Sequence, residues 1–129
     1  MSKAWLVGFT EAEGSFYLTD KDPKTLRIVH GFGFTQKLDG IVLQTIAKIL
    51  HIRTGAKYKT KFGHFILDTT NSRCIENVIG YYKGTLKGVK SLEYRIWSRA
   101  YHKDKGNWPK LRKTRDMVRK LRNTMQEVV

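Results

Sequence analysis

Apolar residues change their period along the chain, and each change marks an element. Over residues 3–13, Leu6 and Phe9 recur at helical spacing with the small Gly8 and Ala12. Ser2 stands at the N-cap position and Gly14 ends the run. Residues 15–20 alternate as a strand, Phe16 and Leu18 on one face, Ser15, Tyr17 and Thr19 on the other. Lys21-Asp22-Pro23-Lys24 predicts a turn. A second strand over 26–36 puts Ile28, His30, Phe32 and Phe34 on one face. Its other face carries Arg27, Val29, Gly31 and Gly33, and two glycines together imply close approach of something bulky.

Beyond Asp39 the period turns helical again, through Ile41, Val42, Ile46, Ile49 and Leu50. Residues 56–68 predict a hairpin turning at Phe62-Gly63. Lys57, Lys59 and Lys61 project from one face with Tyr58 behind, and Phe65 and Leu67 face the core. Asn71 or Ser72 starts a helix carrying Ile75, Val78, Ile79 and Tyr82. A basic loop, Lys83 to Lys90, precedes a helix through Leu92, Ile96 and Trp97. Asn107-Trp108-Pro109 opens a last helix with Leu111, Val118, Leu121 and Met125. There is no internal repeat and no linker, so residues 1–129 are expected to form a single domain. The expected class is α+β: a four-stranded antiparallel sheet with helices on one face, plus a C-terminal helix.

Composition adds a partner. The formal charge is +14 on 129 residues, 40% of them hydrophobic. A folded core is within reach, and so much uncompensated charge points to a polyanion. Aromatics interleaved with the basic residues favour nucleic acid over a membrane surface, and no apolar run is long enough to span a bilayer. The first helix is short and ends in two glutamates, unlike a signal peptide. Cys74 is alone, which excludes a disulfide framework or thiolate zinc site and predicts a reducing, intracellular setting. His30, His51, His64 and His102 do not cluster at metal-ligand spacing.

The chemistry concentrates at residues 6–14, Leu6-Val7-Gly8-Phe9-Thr10-Glu11-Ala12-Glu13-Gly14, followed by Ser15-Phe16. Two acids spaced i,i+2 close a short helix in a chain where carboxylates are scarce. Alone, such a pair is most often two surface acids. The whole stretch resembles the signature of the LAGLIDADG homing endonucleases, in the variant common in intron-encoded proteins. The resemblance spans nearly the whole chain and is densest at residues 5–37 and 83–99, the latter similar to the C-terminal half of organellar members.

That resemblance implies a metal ion, Mg²⁺, held by Glu13 with help from the Ala12 carbonyl. It gives Glu11 a structural role near the helix end, and Gln36 the ordering of water at the site. It also implies a loop lysine stabilising transition-state charge, for which Lys87 and Lys90 both qualify. Glutamate replaces the more usual aspartate at residue 13, and Gly40 stands near where some members carry a further basic residue. Ser15, Tyr17, Thr19, Lys21, Lys24, Arg27, Val29, Lys57, Lys59, Lys61, His64 and Asp68 are expected to lie on the sheet face that meets double-stranded DNA. The C-terminal cations Lys110, Arg112, Lys113, Arg115, Arg119, Lys120 and Arg122 read more simply as a solvated helix face.

The motif occurs once, and cutting two strands needs two acids. The enzyme reading therefore implies a homodimer, paired along the motif helix through Gly8, Ala12 and Glu11, and a near-palindromic target. The family also implies 3′ overhangs and an organellar intron as the source. Two alternatives stand beside it: an RNA-binding maturase serving the intron RNA without cleavage, and a half-enzyme needing a partner half.

Overall fold

The computed structural model describes residues 1–22, 24–37, 39–59, 61 and 63–128, with side chains as far as Thr124. Expectations placed on Pro23, Phe62 and the Met125 side chain lie outside the described residues. The chain order is α1 (Lys3–Glu13), β1 (Gly14–Asp22), β2 (Arg27–Gln36), α2 (Gly40–Leu50), β3 (Lys57–Lys59), β4 (His64–Thr69), α3 (Ser72–Tyr82), α4 (Val89–Lys103) and α5 (Trp108–Val128). The strands form one antiparallel sheet in the order β1-β2-β4-β3. This is the α+β class expected from the pattern.

Capping explains most boundaries. The Trp5 N–H donates to Ser2 Oγ at 3.1 Å, and Asp39 accepts from the Val42 N–H at 3.1 Å. Asn71 Oδ1 accepts from the Arg73 and Cys74 N–H groups at 3.0 and 3.2 Å. Gly14 ends α1 for a steric reason, since its φ is −77° and any Cβ there would stand 2.7 Å from Thr10 Cγ2. β1 runs two residues past its expected end. Asp22 stays in the strand and accepts from the Lys24 N–H at 2.9 Å, so the turn falls at residues 24–26. β3 is only three residues long, and Lys61 lies in the turn beyond it.

The chain divides into two compact units. The first comprises residues 1–15 and 32–86. Its core gathers Leu6 of α1, Phe32 and Phe34 of β2, Leu43 and Ile46 of α2, Leu67 of β4 and Val78 and Tyr82 of α3. Thr10, fully buried, gives its proton to the Leu6 carbonyl at 2.7 Å and meets the Tyr82 hydroxyl at 2.6 Å. Burial raises the Tyr82 pKa, against the effect of that hydrogen bond. A fully satisfied polar pair thus ties α1 to α3. Ile41 was expected within the apolar stripe of α2 but is 81% exposed.

The second unit comprises residues 16–31 and 87–129. Phe16 and His30 pack their rings on Trp97, and His30 also meets Tyr101. The helical pattern nominated Leu92 for the core. Leu92 is instead 41% exposed, and its neighbour Glu93 is buried. On the other face of this unit's strands a Cβ on Gly31 would stand 2.2 Å from the Tyr17 ring, so Tyr17 is the bulky neighbour that the glycine admits.

Candidate active site and nucleic-acid interface

In the first unit, α1 turns Leu6 and Thr10 inward and leaves Trp5, Gly8, Ala12 and Glu13 exposed. A Cβ on Gly8 would meet nothing within 4 Å. A ring ladder leads inward from the exposed Trp5, which stacks on Phe9 at 5.1 Å, and Phe9 stacks on Phe34 at 5.5 Å. The helix runs out at Glu13, and the Gly14 N–H caps the Thr10 carbonyl. The Ala12 carbonyl therefore belongs to the terminal turn that helix geometry leaves without intrahelical partners. Glu11 is half-buried.

Gln36 is the last residue of β2 and lies opposite Phe65. By strand parity it shares the helix-covered face with Phe34 rather than the open face with Thr35. Cross-strand pairing puts Lys57 opposite Ile66 and Lys59 opposite His64, with Asp68 opposite Gly33. These residues line the face away from the Phe34–Leu67 side, and the Tyr58 ring packs on Phe65 at 4.9 Å behind them, the planes tilted by 58°. The register therefore puts Lys57, Lys59, His64 and Asp68 together on one face of the sheet. Lys61 leaves that face because it lies outside β3. Ser15 also belongs to this unit and is half-buried.

In the second unit, Thr19 and Lys21 follow Tyr17 by parity along β1, and Val29 and Arg27 sit on the same side of β2. Tyr17 and Val29 are half-buried, and Arg27 is exposed. Lys24 is in the turn, not on the strand face. The two candidate lysines separate clearly. Lys90 is half-buried and ion-pairs with Glu93 at 3.6 Å, whereas Lys87 is exposed in the loop before α4.

Glu93 has no counterpart in sequence reasoning. Its carboxylate accepts from the Phe16 N–H at 3.0 Å and from Arg122 Nη2 at 3.0 Å. Arg122 also donates to the Phe16 carbonyl at 3.1 Å. Arg115 makes a two-pronged contact with Asp20, 3.0 Å to each oxygen. Two arginines of the supposed solvated face of α5 thus fasten it to β1. The one available signal was their seven-residue spacing beside Leu111 and Val118, which puts them near the apolar stripe.

The family's sequence pattern, described as LAGLIDADG endonuclease, matches residues 6–101. The chain belongs to the LAGLIDADG endonuclease family. It is 41% identical over 128 residues to a protein of Schizosaccharomyces pombe (strain 972 / ATCC 24843) named "Probable intron-encoded endonuclease Cox1-I1b". That match takes in 95% of this chain and 33% of the relative, so the chain spans about a third of the relative's length. Among solved structures, the archaeal intron-encoded homing endonuclease I-Vdi141I, complexed with DNA, superposes with a TM-score of 0.78 at 22% identity, covering 92% of this chain and 82% of that one. The homing endonuclease I-TnaI superposes at 0.67 with 20% identity, covering 92% and 98%. These structures share the family fold. The pattern match stops at Tyr101, so α5 and its arginine fastenings lie beyond it.

Proposed function

We propose that this chain is half of a site-specific homing endonuclease that cuts double-stranded DNA, with two copies paired along α1. The exposed carboxylate of Glu13 at the end of a helix whose outer side is open at Gly8 carries this reading. Close helix approach needs small residues at the contact, and Gly8 and Ala12 supply them, with Glu11 beside them. An isologous pairing brings the same acid from each copy to one axis, and favours a near-palindromic target.

The donor set fits a hard divalent cation, Mg²⁺ by preference. Glu13 offers a carboxylate and Ala12 a terminal carbonyl. Among the described residues no three His, Cys, Asp or Glu side chains come together as a metal cage. Mg²⁺ is commonly held by one or two carboxylates plus water and phosphate, so one acid per chain suits it. When bound, such an ion supplies Lewis acidity for phosphodiester hydrolysis, proposed to leave 3′ overhangs.

The chain's own residues do the rest. Gln36 orients water by hydrogen bonding at its strand end. Lys87 and Lys90 both remain candidates for the charge-stabilising role, Lys87 exposed in the loop and Lys90 half-buried beside Glu93. Ser15, Tyr17, Thr19, Lys21, Arg27, Val29, Lys57, Lys59, His64 and Asp68 are the proposed duplex contacts from strands, and Lys24 and Lys61 the contacts from turns. The relative's name supports an intron as the source, organellar in our reading.

Light scattering in high salt, followed by cleavage of a palindromic-site library with Mg²⁺, tests the proposal. A mass near twice 15.0 kDa with cutting is the expected result. A monomer that stays monomeric on DNA and cuts nothing would mean that another half, or an RNA role, must be sought.

A further inference from the structure

In the first unit the end of α2 and the start of α3 flank a cleft of about 870 Å³. Lys48, His51, Arg53 and Arg73 line it together with Asn71 and Asn77, and no lining residue is an acid. Lys48, Arg53 and Arg73 are exposed, and among the described residues none of them pairs with a carboxylate. The rim is shaped by packing. His51 caps α2 in the left-handed region at φ 58°, and the buried Cys74 Sγ donates to its carbonyl at 3.4 Å. The Ile52 N–H returns to the Ala47 carbonyl at 2.9 Å.

The cleft lies on the helical side of the sheet. Thr69, which lines it, pairs with Phe32 and shares the buried face, whereas Lys57 and Lys59 stand on the opposite face. Its cations and neutral donors stand open to solvent, and the buried Ala47, Ile52 and Cys74 line it beside them. The cleft is open and its lining charges are all of one sign, which suits a phosphate chain passing through it. We propose that it binds the phosphodiester backbone of a nucleic-acid segment other than the one on the sheet. The inference goes beyond the cleavage reading and rests only on the part of it that puts duplex DNA on the sheet face.

Three probes on the full chain test it: a short duplex, a long duplex and a structured RNA hairpin, each titrated across a salt series. Inorganic phosphate serves as a fourth. The triple variant Lys48→Gln/Arg53→Gln/Arg73→Gln alters exposed residues only, and circular dichroism checks its fold. It should bind the long duplex or the RNA at least about tenfold more weakly, with the log–log salt slope reduced by roughly 2 to 3. Short-duplex binding should stay within about twofold, because that probe reaches the sheet alone. Lys57→Gln/Lys59→Gln should show the reverse. Which probe suffers identifies the source of the phosphates. Equal losses on all probes, no loss on any, or binding of inorganic phosphate only would overturn the proposal. Failure to cut DNA with these differences intact would sink the endonuclease reading alone.

Discussion

Two glutamates in two regions have opposite fates. At the end of α1, Glu13 is exposed. At the start of α4, Glu93 is buried and receives Phe16, Arg122 and Lys90. A buried carboxylate is tolerable only when its lone pairs are filled, and Glu93 is filled by groups 77, 29 and 3 residues away. Its oxygens are committed to holding β1, α4 and α5 together. Among the described residues Glu13 makes no ion pair, and in the proposed function its carboxylate is the one that meets an ion. The chain thus separates an acid that builds from the acid to which the proposed function gives the chemistry.

The largest expected effect comes from Glu13→Gln. Cleavage should fall at least about a thousandfold, with DNA affinity and thermal stability nearly unchanged. Cutting that survived would erase the distinction between the two acids. Next comes Glu93→Ala, which strands Arg122 and the Phe16 N–H and should destabilise the fold by about 3 kcal/mol in denaturant. Glu93→Gln should cost less, because it keeps an acceptor for Phe16. A loss below ~1 kcal/mol for the alanine variant would show that Glu93 is not the node its contacts suggest.

Acid provides a third test. Burial pushes His30 from 6.5 down to about 4, with the hydrogen bond to the Trp97 carbonyl opposing and the His102 charge adding to the fall. The unfolded chain takes up this proton below pH 6.5 while the fold resists it until about 4. Stability is therefore complete above pH 6.5 and falls across that window, by on the order of 3 kcal/mol. A neutral replacement such as His30→Gln should flatten this pH dependence, whatever its own cost. An unchanged slope would assign the acid sensitivity to the carboxylates.

The smallest effect should come from Gly8→Ala. With open space around the site, alanine should stabilise the isolated chain by about 0.5–1 kcal/mol through helix propensity. The same methyl should weaken self-association if α1 packs on its own copy. Sedimentation that showed tighter association would move the dimer contact elsewhere.

Much of the fold was legible along the chain. The limits of α1, the cap at Asn71, the start of α5 at Trp108 and the alternation Ile28-His30-Phe32-Phe34 all match their expected places. β3 was overextended, because the lysine alternation continues through Lys61 after the pairing has stopped. In α4 the reading holds at Trp97 but fails at Leu92, since a glutamate carries no apolar signal although the buried stripe is Glu93, Trp97, Ala100 and Tyr101. Arg115 and Arg122 read as solvent cations for the same reason.

What the sequence determined by itself was local: periods of two and 3.6, caps two to three residues from their donors, and the nine-residue stretch that carries Glu13. Those features depend on neighbours a few positions away, so one strand of text contains them. Tertiary structure alone decided which charged groups would be satisfied in the interior, which would stay in water, and where Lys48, Arg53 and Arg73 would meet across a cleft. The Arg122–Phe16 contact joins residues 106 positions apart, and no local pattern encodes the geometry that makes such a pair possible.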